Sequence, residues 1–520
     1  MESSGAGGAV PGTPAPESPP PAAPGEHGRT QYEKGLKTGA LGMASSVVIG
    51  VASTAPAYSL AATLGLVAAA VGLYSPSIMI VAFIPMLLIA AAYYYMNKAD
   101  PDCGTSFSWV TRAFGPHTGF ITGWVIMAAD AIVMANLAQV AGQYFFLLFG
   151  WNSAANSTFA VTAVGVLFIA MTTWITAVGI EISARTQWGL LIAELTILMV
   201  FSITALVKVY TSHPAGSMPI KLSWFSPFHM SSNALVGGVL LAVFIYWGWD
   251  TTVTVNEETK DSSRTPGIAA IVSTLALLGT YLIITVAAQA YAGPAGLAKN
   301  SDDIFASLGT MVLGSTVDKL LIIAVLTSAV ASTLTTILPL TRTALSMSVH
   351  GAMPRVFAQV SKKYQTPLLN TVIFGVISIA WYVGLTIVSQ NILYDSIASL
   401  GLMIAFYLGI TGYAVPVFYR RTAFKGAKNF LLLFLAPTLG GVILTYIFIK
   451  SLIDLWNPAN SASGTSWFGI GPPFVIAVAF LVGGVLAMVI SQIVQPSFFR
   501  RKTETAETMS PTPEGVIFND

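Results

Sequence analysis

Twelve long apolar stretches separated by short polar connections run along the chain. They predict membrane-spanning helices near residues 40–65, 75–96, 117–149, 158–180, 187–211, 233–256, 267–292, 317–347, 370–389, 393–418, 430–453 and 471–494. About 20 residues suffice to cross a hydrocarbon core of roughly 30 Å, and every stretch reaches that length. Two of them break their own pattern, the first in Ile49-Gly50-Val51-Ala52-Ser53-Thr54-Ala55-Pro56 and the sixth in Tyr246-Trp247-Gly248-Trp249-Asp250-Thr251-Thr252. Backbone that leaves the helix at membrane depth is tolerated only where it is buried in protein or lines a wet cavity. Interruptions at corresponding places in two halves of a chain point to the substrate site of a secondary transporter. The spacing suggests two five-helix blocks, which an odd number of crossings turns into an inverted repeat, with spans 11 and 12 appended.

Composition gives the same class. Of 520 residues, 54% are hydrophobic and 9% charged, against roughly 25% charged in a soluble domain. The fold expected is all-α and polytopic, with residues 37–418 holding helices 1–10 and residues 419–496 holding helices 11 and 12. Of the 24 Lys and Arg, 18 lie in the two tails or in the loops after spans 2, 4, 6, 8 and 10, and Arg342 lies near the end of span 8; the other five are Lys208, Lys221, Lys299, Lys319 and Lys450. The positive-inside rule therefore puts both termini in the cytoplasm. Residues 1–36 are rich in Pro, Ala, Gly and Ser and lack the apolar run of a signal peptide, so a disordered cytoplasmic tail is expected there, and another over residues 497–520.

Little else in the chain carries chemistry. Cys103 is the only cysteine, which leaves no partner for a disulfide or a thiolate metal cluster. His27, His117, His213, His229 and His350 are scattered over the tail, loops and span ends. No zinc-protease or phosphate-loop motif accompanies them, so an enzyme or an ATP-driven pump is not indicated, and no cofactor or metal is implied. A sensor would normally append a soluble signalling domain. The expected partners are the bilayer, a small solute and a coupling ion, without nucleic acid, and twelve spans in one chain suffice for a monomer.

The polar residues at the two breaks are the candidate substrate site. A half-helix starting after Pro56 would present free N–H groups, joined by the Ser53 and Thr54 hydroxyls and the Ala55 backbone, suited to a carboxylate. Freed carbonyls around Ile245, Tyr246 and Trp247, with Asp250, suit an ammonium, and Gly248 and Trp249 complete the second break as candidate substrate-site residues. A carboxylate at that depth costs at least about 2 kcal/mol on insertion scales, so Asp250 is either a solute contact or the cap of the second half-helix. Asp130 in span 3 lines the path or pairs with another span. Tyr58, Trp247 and Trp249 are candidate aromatic lids, with packing as the plainer role. Glu257 and Glu258, beside Lys260 and Arg264, read as an inner-gate ion-pair cluster. The hydroxyls of Thr327, Ser328, Ser332, Thr333, Thr335 and Thr336 in span 8 do not define a sodium site, because hydroxyls in a membrane helix usually bond back one turn.

Three stretches carry a family resemblance. Between spans 2 and 3 stands Pro101-Asp102-Cys103-Gly104-Thr105-Ser106-Phe107-Ser108-Trp109-Val110, running into Ala113-Phe114-Gly115-Pro116 and Gly119-Phe120-Ile121-Thr122-Gly123-Trp124. Span 6 leaves through Gly248-Trp249-Asp250, Asn256-Glu257-Glu258-Thr259-Lys260 and Arg264-Thr265-Pro266. After span 8 come Thr341-Arg342-Thr343-Ala344-Leu345-Ser346-Met347, Gly351-Ala352-Met353-Pro354 and Thr366-Pro367. In this order, over roughly residues 40–420, they resemble the amino acid-polyamine-organocation (APC) superfamily permeases, in their bacterial amino acid permease branch.

The resemblance implies a five-plus-five inverted-repeat (LeuT-type) core and secondary active import of amino acids or related amines. Aligning Gly179-Ile180-Glu181-Ile182-Ser183-Ala184-Arg185 with the family's start of span 5 puts Glu194 where some members carry a lysine thought to mimic or gate a coupling cation. Here it is an acid, which makes Glu194 the candidate proton-coupling residue, with a packing role as the alternative. The family's Gly-Ser/Thr-Gly turn is replaced by Gly50 to Pro56. A diamine has no carboxylate for that turn to hold, so an exchanger or polyamine carrier stands beside the proton-coupled amino acid importer.

Overall fold

The computed structural model describes residues 34–300, 304–314, 317–388, 392–461, 463–509 and 517–519. The expected tail over residues 1–36 lies outside the described residues as far as residue 33. Its last part is not solvent-borne, since Lys34 and Leu36 are buried. The segment after Lys502 also differs from its expectation. Glu504 pairs with Arg112, the Ala506 N–H bonds the Phe418 carbonyl, and Ile517–Asn519 (β2) lies parallel to Gln359–Ser361 (β1). These contacts cross between distant parts of the chain, which local composition does not reveal.

Most of the remaining described residues are helical. The chain runs through α1 (Met43–Ser53), α2 (Pro56–Val71), α3 (Ser75–Ala99), α4 (Ser106–Phe114), α5 (Pro116–Leu148), α6 (Asn152–Ala155), α7 (Thr158–Val178), α8 (Ile180–Thr211), α9 (Ser232–Tyr246) and α10 (Thr251–Thr254). It continues with α11 (Thr265–Lys299), α12 (Ile304–Leu313), α13 (Lys319–Val349), α14 (Leu368–Val388), α15 (Ile392–Phe418), α16 (Ala427–Asn429), α17 (Ala436–Leu455), α18 (Pro472–Val494) and α19 (Pro496–Phe499). Among the described residues, eleven stretches are long and apolar enough to cross a membrane. The first, Met43–Ala99, is 57 residues long and takes in the expected spans 1 and 2, which accounts for eleven stretches against twelve expected spans. Within it the backbone departs from the helix at Ala55 (φ 48°) and at Gly72 (φ 57°).

Burial separates an inner bundle from a lipid-facing rim. In the apolar window of α5 83% of residues are buried, against 17% in that of α18. A helix that is apolar all round belongs inside a bundle or against lipid. α13 packs along α5 and α8 and touches α1, while α11 packs on α3, α1 and α2. Both broken segments therefore sit among central helices, where loosened backbone can be satisfied by protein.

Candidate functional site

The two breaks face each other. α1 stops at Ser53, Ala55 takes a left-handed conformation (φ 48°) that is uncommon for a residue with a Cβ, and α2 starts on Pro56, whose missing N–H suits a first turn. Between α9 and α10, Gly248 has φ 120°, and a Cβ there would come within 2.7 Å of the Ser53 carbonyl. Glycine is what lets the two backbones touch. The contact is tied by the Ser53 and Thr251 hydroxyls, 2.8 Å apart, and by the Ser332 hydroxyl of α13, which donates to the Ser53 carbonyl at 2.9 Å.

Where they meet lies a small cavity. Ser53, Thr54, Ala55 and Tyr58 line it from the first break, and Trp247, Gly248 and Asp250 from the second. Asp130 reaches it from α5, Ser332 and Thr336 from α13, and Tyr407 from α15. The Trp247 indole donates to the Tyr407 hydroxyl at 2.6 Å, which in turn donates to Asp250 Oδ2 at 2.7 Å. A buried carboxylate needs such donors. Asp250 makes no side-chain hydrogen bond to the start of α10, so the capping role is not what holds it. Asp130 is 2% exposed and its Oδ2 has no hydrogen-bond partner.

Two residues expected here turn elsewhere. The Tyr246 hydroxyl donates to the Met79 carbonyl at 3.1 Å, and the Trp249 ring packs edge-on against Tyr93 with centroids 5.1 Å apart. Tyr58 does line the cavity, its ring edge-on to Phe244 at 6.4 Å. Tyr407 was missed by the sequence reading. Its span also holds Tyr394, Asp395, Ser396, Ser399, Thr411 and Tyr413, so nothing local singles out this phenol.

Glu194 lies outside the cavity lining and is 0% exposed. Its Oε1 accepts the Ala57 N–H at 2.7 Å. The free N–H groups expected after Pro56 are therefore occupied. Proline has none, Ala57 is held by Glu194, Tyr58 N–H bonds Ser328 Oγ at 3.2 Å, and Ser59 N–H bonds the Ala55 carbonyl at 2.8 Å. The positive end of a helix attracts an anion, and the chain supplies its own. The Thr54 hydroxyl likewise bonds back to Val51 at 2.7 Å.

A second polar cluster closes the end of the bundle where Lys34 sits. Lys34 Nζ is 2.9 Å from Asp102 Oδ2, 2.7 Å from Glu257 Oε1 and 3.5 Å from Cys103 Sγ. The donor atoms of Asp102, Cys103 and Glu257 lie within 4.8 Å of one another, a spacing that suits a metal ion, but the Lys34 ammonium already bonds to all three. Burial alone would lower that ammonium; Asp102, Cys103 and Glu257 outweigh it and hold Lys34 well above its usual value. Arg342 of α13 reaches both oxygens of Glu258, at 2.9 and 3.1 Å, with neither side chain exposed. Glu257 and Glu258 thus pair with Lys34 and Arg342, not with the adjacent Lys260 and Arg264. Their one-turn 3₁₀ segment, Asn256–Glu258, aims both carboxylates inward, and the Lys260 backbone N–H bonds Leu41 at 2.8 Å.

An all-helical bundle with eleven apolar stretches defines a multi-pass integral membrane protein, and the buried polar break at its centre is the architecture of a solute carrier. Residues 38–468 match the amino acid permease family, and the chain belongs to it. It is a transporter, not an enzyme. A methylthioribose transporter of Bacillus subtilis is 25% identical over 59% of this chain and 67% of its own length. An arginine/ornithine antiporter of Lactococcus lactis is 22% identical over 41% of this chain, and the match spans less than half, 46%, of that relative. The crystal structure of MhsT in complex with L-phenylalanine superposes with a TM-score of 0.56 at 16% identity, covering 78% of this chain and 98% of that one. That likeness is one of fold.

Proposed function

We propose that the chain is a secondary transporter that imports an amine-bearing solute, an amino acid or an amine related to one, across the cytoplasmic membrane by alternating access, with protons. The observation that carries this reading is the Asp250 carboxylate at the second break, buried beside a cavity and held by Tyr407 at 2.7 Å. An ammonium of the solute would be the counter-charge that Asp250 lacks. Relatives named as an arginine/ornithine antiporter and a cationic amino acid transporter support an amine as cargo.

Glu194 would couple this to protons. As a carboxylate it makes a charge-assisted bond to the Ala57 N–H and ties the start of α2 to α8; as a neutral acid it holds that N–H less strongly. Protonation would loosen the broken segment from α8, the motion alternating access needs. The Lys34, Asp102, Glu257, Arg342 and Glu258 cluster would be the inner gate, with its face in the cytoplasm by the charge bias of the loops. Exchange of one amine for another is the second reading, supported by the antiporter relative. Uptake of radiolabelled amines and amino acids into proteoliposomes, with a proton gradient, a sodium gradient or internal solute imposed in turn, tests it. Accumulation driven by protons is expected; accumulation driven only by sodium, or of none of the solutes, contradicts it.

A further inference from the structure

Far from the cavity, the short connection between α15 and α17 gathers cations that the fold does not use. No Asp or Glu stands between Asp395 and Asp454, yet Arg420, Arg421, Lys425 and Lys428 all fall in this stretch. All four are exposed, and among the described residues none of them makes a salt bridge or a side-chain hydrogen bond. The shape of the connection comes from its backbone. The N–H groups of Thr422 and Ala423 bond the Tyr419 carbonyl at 2.8 Å each, the Phe430 N–H bonds Gly426 at 2.9 Å, and Gly426 takes φ 131° where the chain bends into α16. Other loop cations have partners of their own: Lys363 lies over the Tyr364 ring, 5.0 Å from its centroid, and Arg501 bonds His350.

Aromatic rings stand among these cations. Phe424, between Arg421 and Lys425 in the polar connection, is 63% exposed, and its ring folds back onto Phe434 and Phe430, with centroids 5.1 and 6.0 Å away. Phe430 and Phe434 stack on each other at 5.3 Å. They belong to a π-helical turn, Phe430–Leu435, near the start of the apolar stretch Ala427–Leu455, so the three rings mark the level at which this helix enters the hydrocarbon. Turns of that kind are rare and often accompany function. Setting the orientation of the chain asks only for charge in a basic loop. It gives no reason for an exposed ring in the loop to close a triad with two rings of the next helix.

We propose that this connection is a binding site for an anionic phospholipid, its phosphate among Arg420, Arg421, Lys425 and Lys428 and its acyl chains along the Phe424, Phe430 and Phe434 rings. Charge complementarity selects the lipid. Among the described residues the one acid bonded to the connection is Glu507, which accepts from the Thr422 hydroxyl at 2.9 Å, so four cations face one carboxylate. A guanidinium can fork two oxygens of one phosphate, and basic residues at a membrane helix end draw anionic headgroups. A zwitterionic lipid would bring its own ammonium against the same cations. The site is independent of what the cavity carries.

Titration of the purified full-length protein in neutral detergent with phosphatidylglycerol or phosphatidylcholine of the same acyl chains, bound lipid being counted by native mass spectrometry, tests it. Phosphatidylglycerol is expected to bind at least about tenfold more tightly than phosphatidylcholine. Arg421→Gln with Lys425→Gln should remove that preference, since each cation near a headgroup is worth about fivefold. The same loss of two charges elsewhere, Arg355→Gln with Lys363→Gln, should leave the preference within about threefold. Phe424→Ser keeps every charge and should weaken both lipids by about threefold or more, because it removes the exposed ring that the acyl chains would meet. Equal binding of the two lipids by the unmodified protein overturns the proposal, and that comparison stands even if a variant fails to fold. Equal loss of preference in the two double variants also overturns it, since that is the result of a diffuse basic field, and so does unchanged lipid binding in Phe424→Ser.

Discussion

The carboxylate of Glu194, in α8, accepts the backbone N–H of Ala57 at 2.7 Å, so the positive end of α2 rests on a side chain that is 137 residues away in the sequence and buried from solvent. This one bond joins the first break to a helix outside the cavity. In the proposed coupling, the gain or loss of a proton at Glu194 would act directly on the broken segment.

Glu194→Gln keeps an acceptor for Ala57 but removes the titration. Solute-for-solute exchange is expected to stay within about threefold of the wild type, while accumulation driven by a proton gradient is lost. Exchange and internal pH, followed in the same vesicles with an entrapped dye, check both halves. Retained proton-driven accumulation would assign Glu194 to packing alone.

Asp250→Asn removes a charge that Tyr407 steadies. Loss of a charge-assisted contact is worth about 1.5–3 kcal/mol, or roughly a ten- to hundredfold fall in amine affinity. Tyr407→Phe leaves the charge and removes only its donor, so a smaller loss of the same sign is expected. Binding isotherms for the three proteins test the order; equal affinities would place the solute elsewhere.

Cys103 is the only cysteine of the chain and lies beneath Lys34 at 3.5 Å. Burial pushes its thiol well up, with Glu257 adding to the effect. Lys34→Met would take the ammonium from Asp102 and Glu257 in a buried site, which costs about 3–5 kcal/mol. Alkylation of Cys103 by a soluble maleimide, read by intact mass, is expected to quicken at least tenfold, on the order that one pairing step of about 1.4 kcal/mol provides. An unchanged rate would mean that Lys34 does not close this end of the bundle.

His350 joins that cluster to the C-terminal segment. A guanidinium only donates, so Nδ1 accepts from Arg501 Nη1 at 2.9 Å and Nε2–H donates to Asp102 Oδ2 at 3.0 Å. A second proton would have to displace the Arg501 bond. Burial, with Lys34 and Arg501 adding, outweighs Asp102 and holds the imidazole below its ordinary value near 6.5. A depressed value means that the stabilising contribution is full above about pH 6.5 and is lost as pH falls through the folded value. Glu257, raised by burial, acts in the opposite direction over the same fall. The comparison is therefore between proteins: melting temperature should drop less between pH 7.5 and 5 in His350→Asn than in the wild type. Parallel curves would contradict it.

The breaks could be read in the sequence because Gly, Pro, hydroxyls and an acid are rare in apolar spans, and the family stretches because each has its own local spelling. Asp250, Asp130, Ser53, Thr54, Ala55, Tyr58, Trp247 and Gly248 fall around one cavity for that reason. What closes the site was not readable. Glu194 meets Ala57, Lys34 meets Asp102 and Glu257, Arg342 meets Glu258, and Tyr407 meets Asp250 across 68 to 223 residues of chain. Such pairings follow from how helices pack, and neighbouring charges such as Lys260 and Arg264 offered a nearer but mistaken partner. Tyr246 and Trp249 share the second break's sequence but turn away from its cavity into the packing around Met79 and Tyr93.

The most direct test of proton-coupled amine transport is to record labelled amine and internal pH together in proteoliposomes of the wild type, Asp250→Asn and Glu194→Gln under an inward proton gradient. Amine accumulation with matching acidification in the wild type, neither in Asp250→Asn, and exchange without acidification in Glu194→Gln is the result predicted. Accumulation without acidification in the wild type, or coupling intact in Glu194→Gln, would contradict it.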